Sequence, residues 1–201
     1  MDKRVIRDYL RLFVSIVFAF LYIIHLIVFL IQKQTTKDKI REDVRVNLEY
    51  INIRLNFGFA LLYMLHTNPY FRTLFYYRIG PGASLLISWY RKGDPHFIIP
   101  YSTELDGGLR IAHPYGTVLN AKKIGKNLDV RNLITIGKGF HGGRPVIGND
   151  VIIGANVTII GDITIGDNVI IGAGSVVVKD IPSNSTVVGN PARVLIKNHP
   201  N

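Results

Sequence analysis

The chain has 201 residues, a formal net charge of +10 and no cysteine, which excludes disulfides and thiolate metal sites and leaves room for one repeat domain plus a smaller N-terminal part. The charge is uneven: residues 1–100 hold 14 Lys/Arg against 7 Asp/Glu, and residues 101–201 hold 10 against 7. The basic excess tracks the apolar N-terminal half, and no nucleic-acid motif or basic stripe along the repeats accompanies it, so it reads as a solvated basic surface or as one that meets anionic lipid headgroups, ahead of nucleic acid.

Residues 12–31 read LFVSIVFAFLYIIHLIVFLI, twenty positions without a charge. As one helix at about 1.5 Å per residue they would cover about 30 Å, the thickness of a bilayer core, so one membrane helix is expected within residues 1–34. A buried core helix is the plain alternative. The run is too long for a signal peptide and no small-residue cleavage site follows it. Basic residues on both sides (Lys3, Arg4, Arg7 and Arg11; Lys33, Lys37, Lys39 and Arg41) leave its direction open.

Residues 35–97 form the second expected region. Gln32–Arg45 is charged and reads as a break or linker. Ile40, Val44, Leu48, Ile51 and Leu55 recur at three and four residues, predicting a helix over 40–66 that Asn68-Pro69 ends. Phe71, Leu74, Phe75 and Ile79 give a further apolar face, stopped at Gly80-Pro81-Gly82. Ser84 is placed to cap another helix through Leu85, Leu86, Ile87 and Trp89.

From about Ile98 the pattern changes. Ile147, Ile153, Ile159, Ile165, Ile171 and Val177 stand six apart, each followed four residues later by Val151, Val157, Ile163, Val169, Ser175 or Ile181. Val118, Ile124, Val130 and Ile136 extend the period upstream, with Leu128, Ile134 and Phe140 as companions. A helix repeats near 3.6 and a strand at 2, so a strict period of six with glycine at one phase signals a chain wound into a β-solenoid, one flat side per repeat. The series breaks once, between Ile136 and Ile147, and expels a Gly-rich loop that carries His141 and Arg144. Loops projecting from a rigid scaffold are common places for function. The solenoid is expected over 98–188 and a tail over 189–201.

These hexads, the segment Arg110-Ile111-Ala112-His113-Pro114-Tyr115-Gly116, the loop before Pro145-Val146-Ile147-Gly148, the stretch Ile171–Val177 and the tail Gly189-Asn190-Pro191-Ala192-Arg193 together resemble the hexapeptide acyltransferases with a left-handed parallel β-helix. The likeness is greatest to serine acetyltransferases and to the capsule and exopolysaccharide O-acetyltransferases related to them. It covers roughly residues 40–196, and implies a mainly β fold after an α-helical N-terminal region, a homotrimer with sites at subunit boundaries, acetyl-CoA as co-substrate, no bound cofactor and no metal.

The resemblance also implies roles. His113 stands where serine acetyltransferases carry the catalytic His of their "DHATG" segment, and imidazole suits proton removal from a hydroxyl near neutral pH. The carboxylate that precedes that His in the family is Ala112 here, and the one that pairs with it some fifteen residues upstream aligns with Ile98. Glu104, Asp106 or a backbone carbonyl are the remaining ways to orient the ring. The family's second His aligns with Arg144; His141 lies three residues before it, and both are acceptor or loop candidates, with a solvated loop as the alternative. Ala155 and Ala173 match positions along the pantetheine arm, and Lys179 and Arg193 match basic positions near the nucleotide end. Close coil packing and ordinary surface charge are the respective alternatives.

The functional expectation is an acetyl-CoA-dependent O-acetyltransferase acting on a sugar hydroxyl of a surface polysaccharide or glycolipid intermediate, membrane-associated with its catalytic domain on the cytoplasmic side. Serine O-acetylation for cysteine synthesis is the alternative within the enzyme class. A structural solenoid with a vestigial site is the alternative outside it.

Overall fold

The computed structural model describes residues 3–49, 54–140 and 142–197, with the side chains of residues 196 and 197 left aside. The chain forms two compact units, residues 1–94 and 95–201.

The first unit is helical: α1 (Lys3–Val17), a 3₁₀ turn (Ala19–Tyr22), α2 (Ile23–Ile31), α3 (Gln34–Leu48), α4 (Phe57–Thr67), α5 (Pro69–Ile79) and α6 (Pro81–Ser88). Local chemistry sets the starts of α4 and α5. Asn56 Oδ1 accepts from Phe59 N–H at 3.1 Å and Asn68 Oδ1 from Phe71 N–H at 3.0 Å, and Pro69 takes the first helical position, where no N–H is needed. The core gathers Leu61 and Leu65 of α4, Phe71 and Phe75 of α5, and Ile40 and Val44 of α3.

Three expectations for this unit are corrected. The charged stretch 32–45 is mostly helix, not linker, because α3 buries Ile40, Val44 and Asp43 on one side while Gln34 and Arg41 both donate to Asp38 on the other. The helix predicted over 40–66 is therefore two, α3 and α4; Ile51 lies outside the described residues. Ser84 caps nothing: α6 already begins at Pro81, and the Ser84 hydroxyl donates back to the Pro81 carbonyl at 2.9 Å.

A further correction concerns residues 12–31. They do not form one straight helix, and among the described residues no single helix is long and apolar enough to cross a membrane. α1 and the segment Ala19–Ile31 meet at 72°. Ser15 Oγ donates to the Arg11 carbonyl, a back-bond that bends helices, and the Leu21 carbonyl is taken by the Tyr90 hydroxyl at 2.8 Å. Tyr22, His25 and Phe29 are buried against protein. His25 Nε2 lies 2.9 Å from the Tyr76 hydroxyl. That hydroxyl also donates to the Arg91 carbonyl. Burial, reinforced by Arg72 and Arg91, pushes the His25 pKa down to about 4.

The second unit is a parallel β-solenoid of about five turns. Its three faces are sheet A, with β1 (Phe97–Ile98), β4 (Thr117–Leu119), β7 (Thr135–Gly137), β10 (Thr158–Ile160) and β13 (Val176–Val177); sheet B, with β2 (Glu104–Leu105), β5 (Lys123–Ile124), β8 (Val146–Ile147) and β11 (Thr164–Ile165); and sheet C, with β3 (Arg110–Ile111), β6 (Asp129–Val130), β9 (Ile152–Ile153), β12 (Ile170–Ile171), β14 (Ser185–Val188) and β15 (Arg193–Lys197). Each turn visits A, B and C in that order. Gly189, at φ 99°, turns the chain back so that β15 runs antiparallel to β14.

The hexad residues Ile124, Val130, Ile136, Ile147, Ile153, Ile159 and Ile165 are buried, as are their companions Leu128, Ile134, Val151 and Val157. Each such side chain contributes roughly 1.5–3 kcal/mol of burial. Two members of the pattern depart from it. Leu119, and not Val118, fills the core of the second turn, so the register slips by one there. Phe140 is fully exposed because it has left the stack with the expelled loop.

Candidate active site

The strand register shows how the corner carrying His113 is built. Ile111 pairs with Val130 and Val118 with Thr135, so seven residue steps in the first turn span what five span in the second. The corresponding steps from Ile153 to Thr158 and from Ile171 to Val176 are again five. The first corner between sheets C and A is thus enlarged by two residues, and His113 rides in the enlargement. Its φ is 54°, its side chain is exposed, and its carbonyl accepts from Tyr115 N–H at 2.8 Å. A left-handed backbone is uncommon outside glycine, although His is among the more tolerant residues. Below it, Leu133, Asn156 and Gly174 hold the left-handed positions of the next corners, and Gly116 holds that of the first. A Cβ on Gly116 would come within 2.8 Å of Leu133 Cδ2, the end of an exposed side chain that can turn aside, so it is the φ of 64° and not space that favours glycine.

Ala155 and Ala173 follow β9 and β12, on the same C/A edge as His113. Gly174 N–H donates to the Ala155 carbonyl, which places the two corners in direct register. At about 4.8 Å per turn, His113 stands roughly 10 Å along the edge from Ala155 and roughly 14 Å from Ala173. The edge is narrow between coils: a Cβ on Gly154 would lie 2.6 Å from Ala173 N.

Arg144 is not on this edge. The expelled loop leaves β7 and returns at β8, on the corner between sheets A and B. There Arg144 NH1 donates to Ser102 Oγ at 2.9 Å and to the Ser102 carbonyl at 3.3 Å, with Asn120 Oδ1 at 3.4 Å. An open pocket of about 410 Å³ is lined by Lys122, Lys138, Gly143, Arg144 and Asp162, three cations to one carboxylate, which suits an anionic group. Lys179 follows β13 on this same edge, whereas Arg193 begins β15 on sheet C. His141 lies outside the described residues. Within one chain, then, the candidate residues fall on separate edges. His113, Ala155 and Ala173 share one, Arg144 and Lys179 share the next, and sheet A stands between them.

Glu104 lies in β2 and Asp106 just beyond it, on the side of sheet B opposite the C/A edge. Asp129, one face away in β6, stands 3.7 Å from both Arg110 and Arg131. Sequence reasoning did not find the ring contact between His96 and Tyr115, with centroids 4.8 Å apart at the corner of His113. Tyr115 was visible in the corner segment, but its partner nineteen positions earlier was not. The hold of Ser102 and Asn120 on Arg144 left no sequence signal at all, because it spans 42 and 24 residues.

Comparison with known proteins gives a matching segment and a fold. Residues 144–179 match the family described as bacterial transferase hexapeptide (six repeats). A comparison with curated protein sequences finds no match. Among solved structures, the chain is similar to serine acetyltransferase of Neisseria gonorrhoeae in complex with serine, at 28% identity and a TM-score of 0.63, over 80% of this chain and 69% of that one. It is similar to the soybean serine acetyltransferase apoenzyme at 26% identity and a TM-score of 0.65, over 81% and 70%. The serine acetyltransferase of Brucella abortus, at 23% identity and a TM-score of 0.62 over 81% and 69%, shares the fold. A hexapeptide transferase segment inside such a fold supports an acetyltransferase.

Proposed function

We propose that the protein transfers an acetyl group from acetyl-CoA to an alcohol, with His113 as general base and the edge through Ala155 and Ala173 as the seat of the donor arm. The observation that carries this is the enlarged corner: the one residue type suited to the proton transfer is raised out of the stack at the head of an edge whose third and fourth corners carry Gly154-Ala155 and Gly172-Ala173. In this reading the imidazole takes the proton of the acceptor hydroxyl while its oxygen attacks the thioester carbonyl. The C–S bond then breaks, and the imidazolium returns the proton to the departing thiolate. Lys179 and Arg193 are assigned to the phosphates of the donor, and Arg144 to the acceptor or the donor channel.

The left-handed coil and the trimer implied by the resemblance give the two edges a meaning. His113 of one copy would face the Arg144 edge of another, so that a complete site forms at each subunit boundary.

Serine is the acceptor that the similar structures favour. A sugar hydroxyl of a surface polysaccharide or glycolipid intermediate is the second reading, and one observation favours it: the positions where serine acetyltransferases carry carboxylates are Ile98 and Ala112 here. Thiol release from acetyl-CoA with L-serine and with a panel of free and lipid-linked sugars separates the two. Turnover confined to serine supports the first, turnover confined to sugars supports the second, and none with any alcohol contradicts acetyl transfer altogether.

A further inference from the structure

The N-terminal helices are built inside out. On α1 the buried positions include Asp8 and Ser15, whereas Ile6, Leu10, Phe13 and Val17 are exposed at steps of four, three and four, with Phe13 63% exposed. Those steps draw one continuous apolar stripe down the outer face. α2 repeats the arrangement. His25 is fully buried between the Tyr76 and Tyr90 hydroxyls, while Ile23, Ile27 and Leu30 face outward. α6 packs beside α2 and adds Leu85, Leu86 and Trp89, each about three-quarters exposed. Monomeric soluble proteins seldom present so many large apolar side chains in one unit. A second line, Lys3, Arg4, Arg7 and Arg11, runs along α1 at helical spacing and is exposed throughout.

We infer that α1, α2 and α6 seat the protein on an anionic bilayer surface, with α1 and α2 lying along the membrane plane. The apolar stripe enters the headgroup–acyl boundary to a depth of about 5–10 Å, and the basic line meets lipid phosphates. Neither helix spans. At about 1.5 Å per residue, the 15 residues of α1 and the 9 of α2 each fall short of a core of about 30 Å, and they diverge by 72°. Two rods meeting at such an angle define a plane, which a surface can accept. Charge favours a bilayer over a second copy of the chain: pairing this face with itself brings two basic lines together, whereas anionic headgroups neutralise each one. Trp89 and Tyr9, both exposed, are the residue types that settle at a membrane interface. This inference rests on the helical unit alone and is independent of the acetyl-transfer reading.

The test is flotation of the full-length protein with vesicles of phosphatidylcholine alone or of three parts phosphatidylcholine to one part phosphatidylglycerol. Binding is expected on the anionic vesicles, at least about tenfold above the neutral ones and weakened by salt. It should be released by alkaline carbonate. The double variant Leu10→Glu/Phe13→Glu, whose side chains are exposed and whose fold is checked by circular dichroism, should lose binding by about tenfold or more. Arg7→Glu should lower only the anionic preference. Retention after carbonate would overturn the in-plane seat in favour of a spanning one. Failure to float with either vesicle, together with a particle size that drops in the double variant, would assign the face to a second copy and overturn the inference.

Discussion

Arg78 and Asp43 form a buried ion pair across 35 residues of sequence. Arg78 Nε donates to Asp43 Oδ2 at 2.8 Å and NH2 donates to Oδ1 at 3.1 Å, and the two side chains are 3% and 1% exposed. The fork matches both carboxylate oxygens and ties α5 to α3. Removing Asp43 takes away the carboxylate that pairs with the buried Arg78 guanidinium, so Asp43→Ala should destabilise the helical unit by about 3–5 kcal/mol. Chemical denaturation followed by circular dichroism measures this; a loss below about 1 kcal/mol would mean that water reaches Arg78.

The depressed pKa of His25 gives the helical unit a pH dependence. In the unfolded chain the imidazole takes a proton near pH 6.5; in the folded chain it does so only near 4. Between those values the unfolded state holds more protons, so stability is full above about 6.5 and declines as pH falls toward 4, by at most roughly 3 kcal/mol. His25→Gln should flatten the melting temperature across that window. An unchanged slope would place the titration elsewhere.

The solenoid was legible in the sequence because its inward residues are local and repeated. Six-residue steps from Ile124 to Val177 name the core without any knowledge of partners. The helical unit was less legible for a physical reason. Hydropathy records which side chains are apolar, not which way they face. Residues 12–31 look like a span because nothing in their order reveals that Ser15 and His25 turn inward while Phe13 and Ile27 turn outward. Asp43 read as linker charge because Arg78, its partner, lies 35 residues on. At the site, the resemblance drew attention to His113, but its separation from Arg144 onto another edge follows only from the strand register.

Coil spacing along the donor edge should be sensitive to a single methyl group. A Cβ on Gly154 would meet Ala173 N at 2.6 Å and Cα at 2.9 Å, backbone atoms that cannot rotate away. Gly154→Ala should therefore cost about 1–3 kcal/mol by overpacking and weaken acetyl-CoA binding by shifting Ala173. Thermal melts and donor titration report the two effects separately. Wild-type values in both would show that the coils can part freely.

Sites at subunit boundaries predict complementation. If His113 of one copy works with the Arg144 edge of another, His113→Ala and Arg144→Ala, each impaired alone, should regain part of the activity when co-expressed, because mixed assemblies contain boundaries with both residues intact. Activity of the mixture no higher than the average of the two variants would place the whole site on one chain.

The most direct measurement is turnover of His113→Ala with acetyl-CoA and the acceptor identified for the wild type. The side chain is exposed in an enlarged corner, so its removal should leave the fold and donor binding intact. Loss of a general base should then lower kcat by about 10²- to 10⁴-fold, with unchanged melting temperature and unchanged acetyl-CoA affinity. Turnover at the wild-type rate would contradict the assignment of His113 and, with it, the reading of this edge as the catalytic one.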